Sequence, residues 1–106
     1  MNWFILIIAG LFEIAWAIGM KYSNGFSKLY PSIFVMITMS ISIYLLSVAL
    51  KTLPVGSAYA IWTGVGAVGT AILGIVLFGE SKELIRLIFI SLIVVGIIGL
   101  KFVSSD

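Results

Sequence analysis

An all-α membrane protein of four spanning helices is predicted by three features of the sequence: its apolar content, its shortage of charge, and the spacing of its apolar runs. Of 106 residues, 62% are hydrophobic and 9% are charged, where a soluble domain carries about a quarter of its residues as Asp, Glu, Lys and Arg. A chain this small has no interior large enough to hide so much Leu, Ile, Val and Phe from water, and the bilayer is the solvent that suits it. The apolar runs fall at about 3–20, 31–50, 55–78 and 84–100, each near the ~20 residues that cross a ~30 Å hydrocarbon core. The longest connection, 21–30, leaves no room for a soluble domain, so residues 1–106 are read as one four-helix transmembrane domain.

The first run has no Lys or Arg before it and is interrupted by Glu13; a cleaved signal needs a basic start and an uninterrupted apolar stretch, so a retained helix is expected. It closes at Lys21, and Ser23-Asn24-Gly25 is a turn signal. Pro31 suits the first position of the second helix, where no N–H is needed, and Pro54 that of the third. Gly79 can end the third helix, and Ser81 can cap the fourth, with Glu83 in its first turn. Lys21, Lys51 and Lys101 each close a run, where a lysine reaches the interface and meets the negative end of the helix dipole.

Charge and composition exclude several functions. Cysteine and histidine are absent, which removes thiolate metal sites, disulfides, the commonest metal ligand and the usual neutral-pH base; neither a cofactor nor an enzyme is expected. The net charge of +2 comes from six scattered Lys and Arg residues, with no stripe suited to nucleic acid. Four spans put Lys51 and Lys101 on one side and Lys21, Lys28, Lys82 and Arg86 on the other. Two against four is a weak orientation bias that permits insertion both ways up.

Glu13 stands about ten residues into its span, or ~15 Å deep at ~1.5 Å per residue. A carboxylate there costs several kcal/mol unless it is protonated or paired, and no Lys or Arg lies at that depth in any span. A carboxyl that is neutral when empty and charged when a cation arrives is what proton–cation exchange requires; the alternative is a protonated Glu that only bridges helices. Gly10, Trp16 and Ala17 share its helical face, Gly10 leaving room beside the carboxyl and Trp16 offering an indole N–H and a π face. Trp16 is too deep for the interfacial aromatic belt, which Trp3 fits. In the second span Ser42 can donate to Glu13 from a neighbouring helix, or to its own i−4 carbonyl, and Thr38 and Ser40 are weaker candidates of the same kind. In the third, Tyr59, Trp62, Thr63 and Gly66 form one face, either an aromatic wall for an organic cation or plain packing. Gly64, Gly66 and Gly69 allow close helix packing or a bend, and Gly96 and Gly99 read as helix–helix contact in the fourth span.

Those residues carry a resemblance. Glu13, the turn Lys21-Tyr22-Ser23-Asn24-Gly25-Phe26 and the run Leu53-Pro54-Val55-Gly56-Ser57-Ala58-Tyr59-Ala60-Ile61-Trp62-Thr63-Gly64-Val65-Gly66 resemble the small multidrug resistance family, four-helix bacterial exporters of the drug/metabolite transporter superfamily. Its multidrug subtype has glycine where this chain has Trp16. The guanidinium exporter subtype has Trp there, with Ser42, Lys51-Thr52-Leu53-Pro54 and a tail like Gly96-Ile97-Ile98-Gly99-Leu100-Lys101. The resemblance implies a multi-pass protein of the bacterial inner membrane that forms an antiparallel, dual-topology homodimer. Two Glu13 carboxyls would share one site lined by Trp16, Ser42, Tyr59 and Trp62, fourth helices would join the dimer through Gly96 and Gly99, and Met39 and Ile43 would border a lateral opening to lipid. The expected activity is guanidinium/proton antiport; the alternatives are export of quaternary ammonium cations and a non-transporting regulatory subunit.

Overall fold

The structure, a computed structural model, describes residues 2–103, with side chains from Trp3 onward; residue 1 and residues 104–106 of the expected domain lie outside the described residues. Four helices follow one another: α1 (Asn2–Ser23), α2 (Leu29–Ala49), α3 (Val55–Phe78) and α4 (Leu84–Val103). All four are long and apolar enough to cross a membrane. In space they run α2, α1, α3, α4, with α1 between α2 and α3, and α4 packed on α3.

Helix ends follow local chemistry, with small departures from expectation. α1 continues through Lys21 and Tyr22 to Ser23, because the backbone turns left-handed only at Asn24, Gly25 and Phe26 (φ 50°, 73° and 66°). The Ser23 hydroxyl finishes the helix, donating to the Met20 carbonyl at 2.7 Å and accepting from the Phe26 N–H at 3.1 Å. α2 begins at Leu29, which makes Pro31 its third residue rather than its first. The missing N–H costs nothing there, since the first helical bond runs from Ser32 N–H to the Lys28 carbonyl. Pro54 precedes α3 as its N-cap, its carbonyl accepting from the Ala58 N–H at 2.9 Å.

Gly79 ends α3 in the left-handed conformation (φ 64°), as expected of a C-terminal glycine, and Glu80 N–H reaches back six residues to the Gly74 carbonyl. Ser81 sits too early to cap α4. Its hydroxyl instead accepts from the Glu83 N–H and donates to the Glu83 carboxylate, and Glu83 supplies the carbonyl that opens the helix to Leu87.

The core gathers Leu6 and Ala9 of α1, Leu46 and Ala49 of α2, Leu53, and Ala58, Ile61 and Trp62 of α3. It therefore fills the half of the bundle nearest the α2–α3 connection. The other half is looser: an apolar cavity of about 470 Å³ lies between Ile14, Ile18 and Gly19 of α1 and Tyr30 and Phe34 of α2. No residue of α4 is buried. Its anchorage is local, with Ile97 and Ile93 lying on the bare Cα of Gly64, where an added Cβ would come within 2.8 Å of Ile97 Cγ1.

Candidate functional site

Glu13 projects from the middle of α1 toward α3, and its carboxyl lies directly on the backbone of Gly66. A Cβ on Gly66 would occupy the space of the carboxyl carbon and Oε1, so the room beside the acid comes from Gly66. The expectation that Gly10 supplies this room is corrected: the space over Gly10 is filled by Val65, whose Cγ1 would stand 2.6 Å from an added Cβ. Gly10 and Gly69, the latter against Ile14, are the points where α1 and α3 approach closely. Gly64, Gly66 and Gly69 are each a point of close packing within the chain.

Ser42 holds the centre of the bundle. It is fully buried, donates to the Ala9 carbonyl at 2.7 Å, and accepts from the Trp62 indole N–H at 3.0 Å. Neither sequence alternative describes it, since its proton goes to neither Glu13 nor its own helix. The Ala9 carbonyl lies one turn before Glu13 in α1, which ties the acid's helix to α2 and α3 through one hydroxyl. Thr38 and Ser40, by contrast, do bond back to their own helix, at the Phe34 and Met36 carbonyls.

The aromatic face is partly realised. Tyr59 and Trp62 pack with ring centroids 5.5 Å apart at 54°. Trp62 is buried whereas Tyr59 is 57% exposed, so Trp62 is fixed by the Ser42 bond and Tyr59 borders the open side, as does Thr63. On α2, Met39 is half-buried and Ile43 is exposed on the helix flank. Gly96 and Gly99 have no side chain or backbone of another element near their Cα atoms, so they face away from the rest of the chain.

Among the described residues, two buried side-chain polar atoms lack hydrogen-bond partners: Oε1 of Glu13 and Nε1 of Trp16. One is an acceptor and the other a donor, three residues apart on one face of α1, and they do not bond to each other. An unsatisfied buried polar atom costs ~1–3 kcal/mol, so this face of the chain is chemically incomplete. The Glu13 oxygen is free to take a hydrogen-bond donor and the Trp16 indole N–H an acceptor.

Four apolar helices of spanning length, with a carboxyl at mid-depth packed between α1 and α3, define a multi-pass membrane protein. The description Small Multidrug Resistance protein matches residues 1–93. Among similar proteins, the Guanidinium exporter of Yersinia pseudotuberculosis serotype I is 62% identical over 104 residues, covering 98% of this chain and 100% of that protein. The Guanidinium exporter of Salmonella typhimurium strain LT2 is 63% identical over 101 residues, covering 95% and 96%, and that of Escherichia coli strain K12 is 59% identical with the same coverage. The chain belongs to the small multidrug resistance family, and it is a multi-pass protein of the bacterial inner membrane.

Proposed function

We propose that this protein exports guanidinium in exchange for protons, with Glu13 as the group for which the two compete. The observation that carries this reading is the buried, partnerless Oε1 of Glu13, seated on Gly66 beside the partnerless indole N–H of Trp16. Guanidinium is planar and donates hydrogen bonds in pairs, which suits a carboxylate with a vacant lone pair. Relatives about 60% identical across nearly the whole chain carry the name Guanidinium exporter, which supports the same substrate.

The working unit is an antiparallel homodimer. A second Glu13 supplies the acceptor that Trp16 lacks, and the bare faces of Gly96 and Gly99 on the unburied α4 leave a surface for a second copy. The weak split of Lys and Arg between the two sides is compatible with chains inserted both ways up. Exchange then follows from charge: protons neutralise the carboxyls, the cation requires them ionised, and each displaces the other on opposite sides of the membrane.

The bulk of Trp16 argues against the quaternary ammonium alternative, which calls for a larger apolar cavity. Purified protein in liposomes with a proton gradient should accumulate guanidinium in preference to tetrapropylammonium, and Glu13→Gln should abolish that uptake while the protein stays helical and dimeric. Preference for tetrapropylammonium would transfer the protein to the multidrug subtype. Proton-driven guanidinium uptake retained by Glu13→Gln would overturn the mechanism, and no flux of either cation would favour a non-transporting subunit.

A further inference from the structure

One turn beyond Glu13 the packing of α1 on α3 loosens into a cleft of about 330 Å³, which starts at Ala17 and Ala67 and runs past Thr70 to Lys21, Glu80 and Arg86. Its inner end lies about one helical turn from the acid, which does not itself line the cleft. Ala17 follows Glu13 by four residues on the same helical face, and Ala67 adjoins Gly66, on which the Glu13 carboxyl rests. Its outer end is the α3–α4 connection, beyond the last turns of both helices. The inner walls carry no charge, being lined by Ala17, Ile18, Ala67, Thr70 and Ala71; charge appears only at the outer end.

At that end Arg86 Nη2 donates to Glu80 Oε1 at 2.8 Å, with the two side chains 34% and 41% exposed. Glu80 is aimed into this position by the backbone. Its N–H closes on the Gly74 carbonyl at 3.3 Å, and its carboxylate lies on the bare Cα of Gly74, where a Cβ would come within 2.5 Å of Oε1. The route thus has a carboxylate at each end, Glu13 in the membrane and Glu80 at the water. The outer one already accepts a guanidinium group, that of arginine, which is the same planar donor head as the cation proposed above. A carboxylate–guanidinium pair this exposed is weak and exchangeable. Of the three charged residues that line the cleft, Lys21 and Arg86 repel a cation, and Glu80 alone attracts one.

We infer that Glu80 is an outer receiving site for the transported guanidinium, which displaces the Arg86 side chain there before passing along the α1–α3 cleft to Glu13. The inference rests on the guanidinium reading and adds a second carboxylate to it. Initial uptake rates into proteoliposomes, measured against guanidinium concentration, separate the possibilities. Glu80→Gln should raise KM by about two- to fivefold, the range a partly exposed pair of this kind supplies, with little change in maximal rate. Arg86→Gln, which frees the same carboxylate, should lower KM. Glu83→Gln removes an equal charge three residues away that does not line the cleft, and should leave KM unchanged at physiological salt. If the ion pair only staples the loop, Glu80→Gln and Arg86→Gln shift KM in the same direction, and the inference fails. It fails equally if neither moves KM, if Glu80→Gln alters the maximal rate alone, or if Glu83→Gln reproduces its effect through general electrostatics. Absence of guanidinium uptake by the wild type would instead overturn the function proposed above, so the two failures are told apart.

Discussion

Glu13 Oε1 and Trp16 Nε1, an oxygen and an N–H three residues apart on α1, are both buried without a hydrogen-bond partner. Replacement of Trp16 by glycine removes a donor and opens a void. A lost buried donor is worth ~1–3 kcal/mol, so guanidinium transport should fall about tenfold or more, at ~1.4 kcal/mol per decade. Parallel flux assays with guanidinium and tetrapropylammonium check this; undiminished guanidinium flux in Trp16→Gly would remove the indole from the site. Gly66 gives a second test at the same scale. Because its missing Cβ is the space that the Glu13 carboxyl fills, Gly66→Ala should push the carboxyl aside and weaken guanidinium binding by about an order of magnitude, a change of ~1.4 kcal/mol. Calorimetric titration reads the loss, and circular dichroism shows whether the helices persist. Unchanged affinity would mean the carboxyl has another place to go.

Among the elements, α1, α2 and α3 are joined where Ser42 bonds both the Ala9 carbonyl and the Trp62 indole. Ser42→Ala strands the indole N–H and removes one donor from the carbonyl. Interhelical hydrogen bonds in membranes are worth ~0.6–1.7 kcal/mol, so the variant should lose about 1 kcal/mol of stability. Denaturation by SDS in mixed micelles measures it, and a shift within error would show that water or lipid replaces the bond. The elements were also the most legible part of the sequence. Four apolar runs of spanning length fix four helices, and Gly79 marks the end of α3, because these signals are local. Pro31 and Pro54 missed their positions by one or two residues, since a proline is tolerated anywhere in a first turn. The site was less legible for a different reason. Gly10 shares a helical face with Glu13, but which glycine makes room for the carboxyl is decided by the helix opposite, where Val65 covers Gly10 and Gly66 stays bare. Likewise Ser42 offered two plausible acceptors in its sequence context and bonds a third, the Ala9 carbonyl, 33 residues away along the chain. Arg86 entered the sequence reading only as an orientation charge, because its pairing with Glu80 depends on how the α3–α4 connection folds.

At the scale of the whole molecule, the exchange proposed above links proton and cation through Glu13. Glu13 pairs with a cation only when ionised, so falling pH must weaken guanidinium binding and rising pH must strengthen it until the carboxyl is fully deprotonated. If one proton competes for each cation, the slope approaches about tenfold per pH unit in the acidic limb. Affinity measured by calorimetry from acidic to alkaline pH should follow that rise and plateau, whereas a flat profile would place the cation elsewhere.

The way the helices are fastened also bears on how such a molecule can move. Three of them are pinned together at the Ser42 hydroxyl, while α4 buries no residue and leans on α3 near Gly64. Any rearrangement that parted α1 from α2 or α3 would break that pin, whereas pivoting the trio against α4 leaves it intact. A movement of α4 about the connection at residues 79–83 would thus leave the Ser42 hydrogen bonds whole, at the expense of the contacts of Ile97, Leu100 and Lys101 with the rest of the chain.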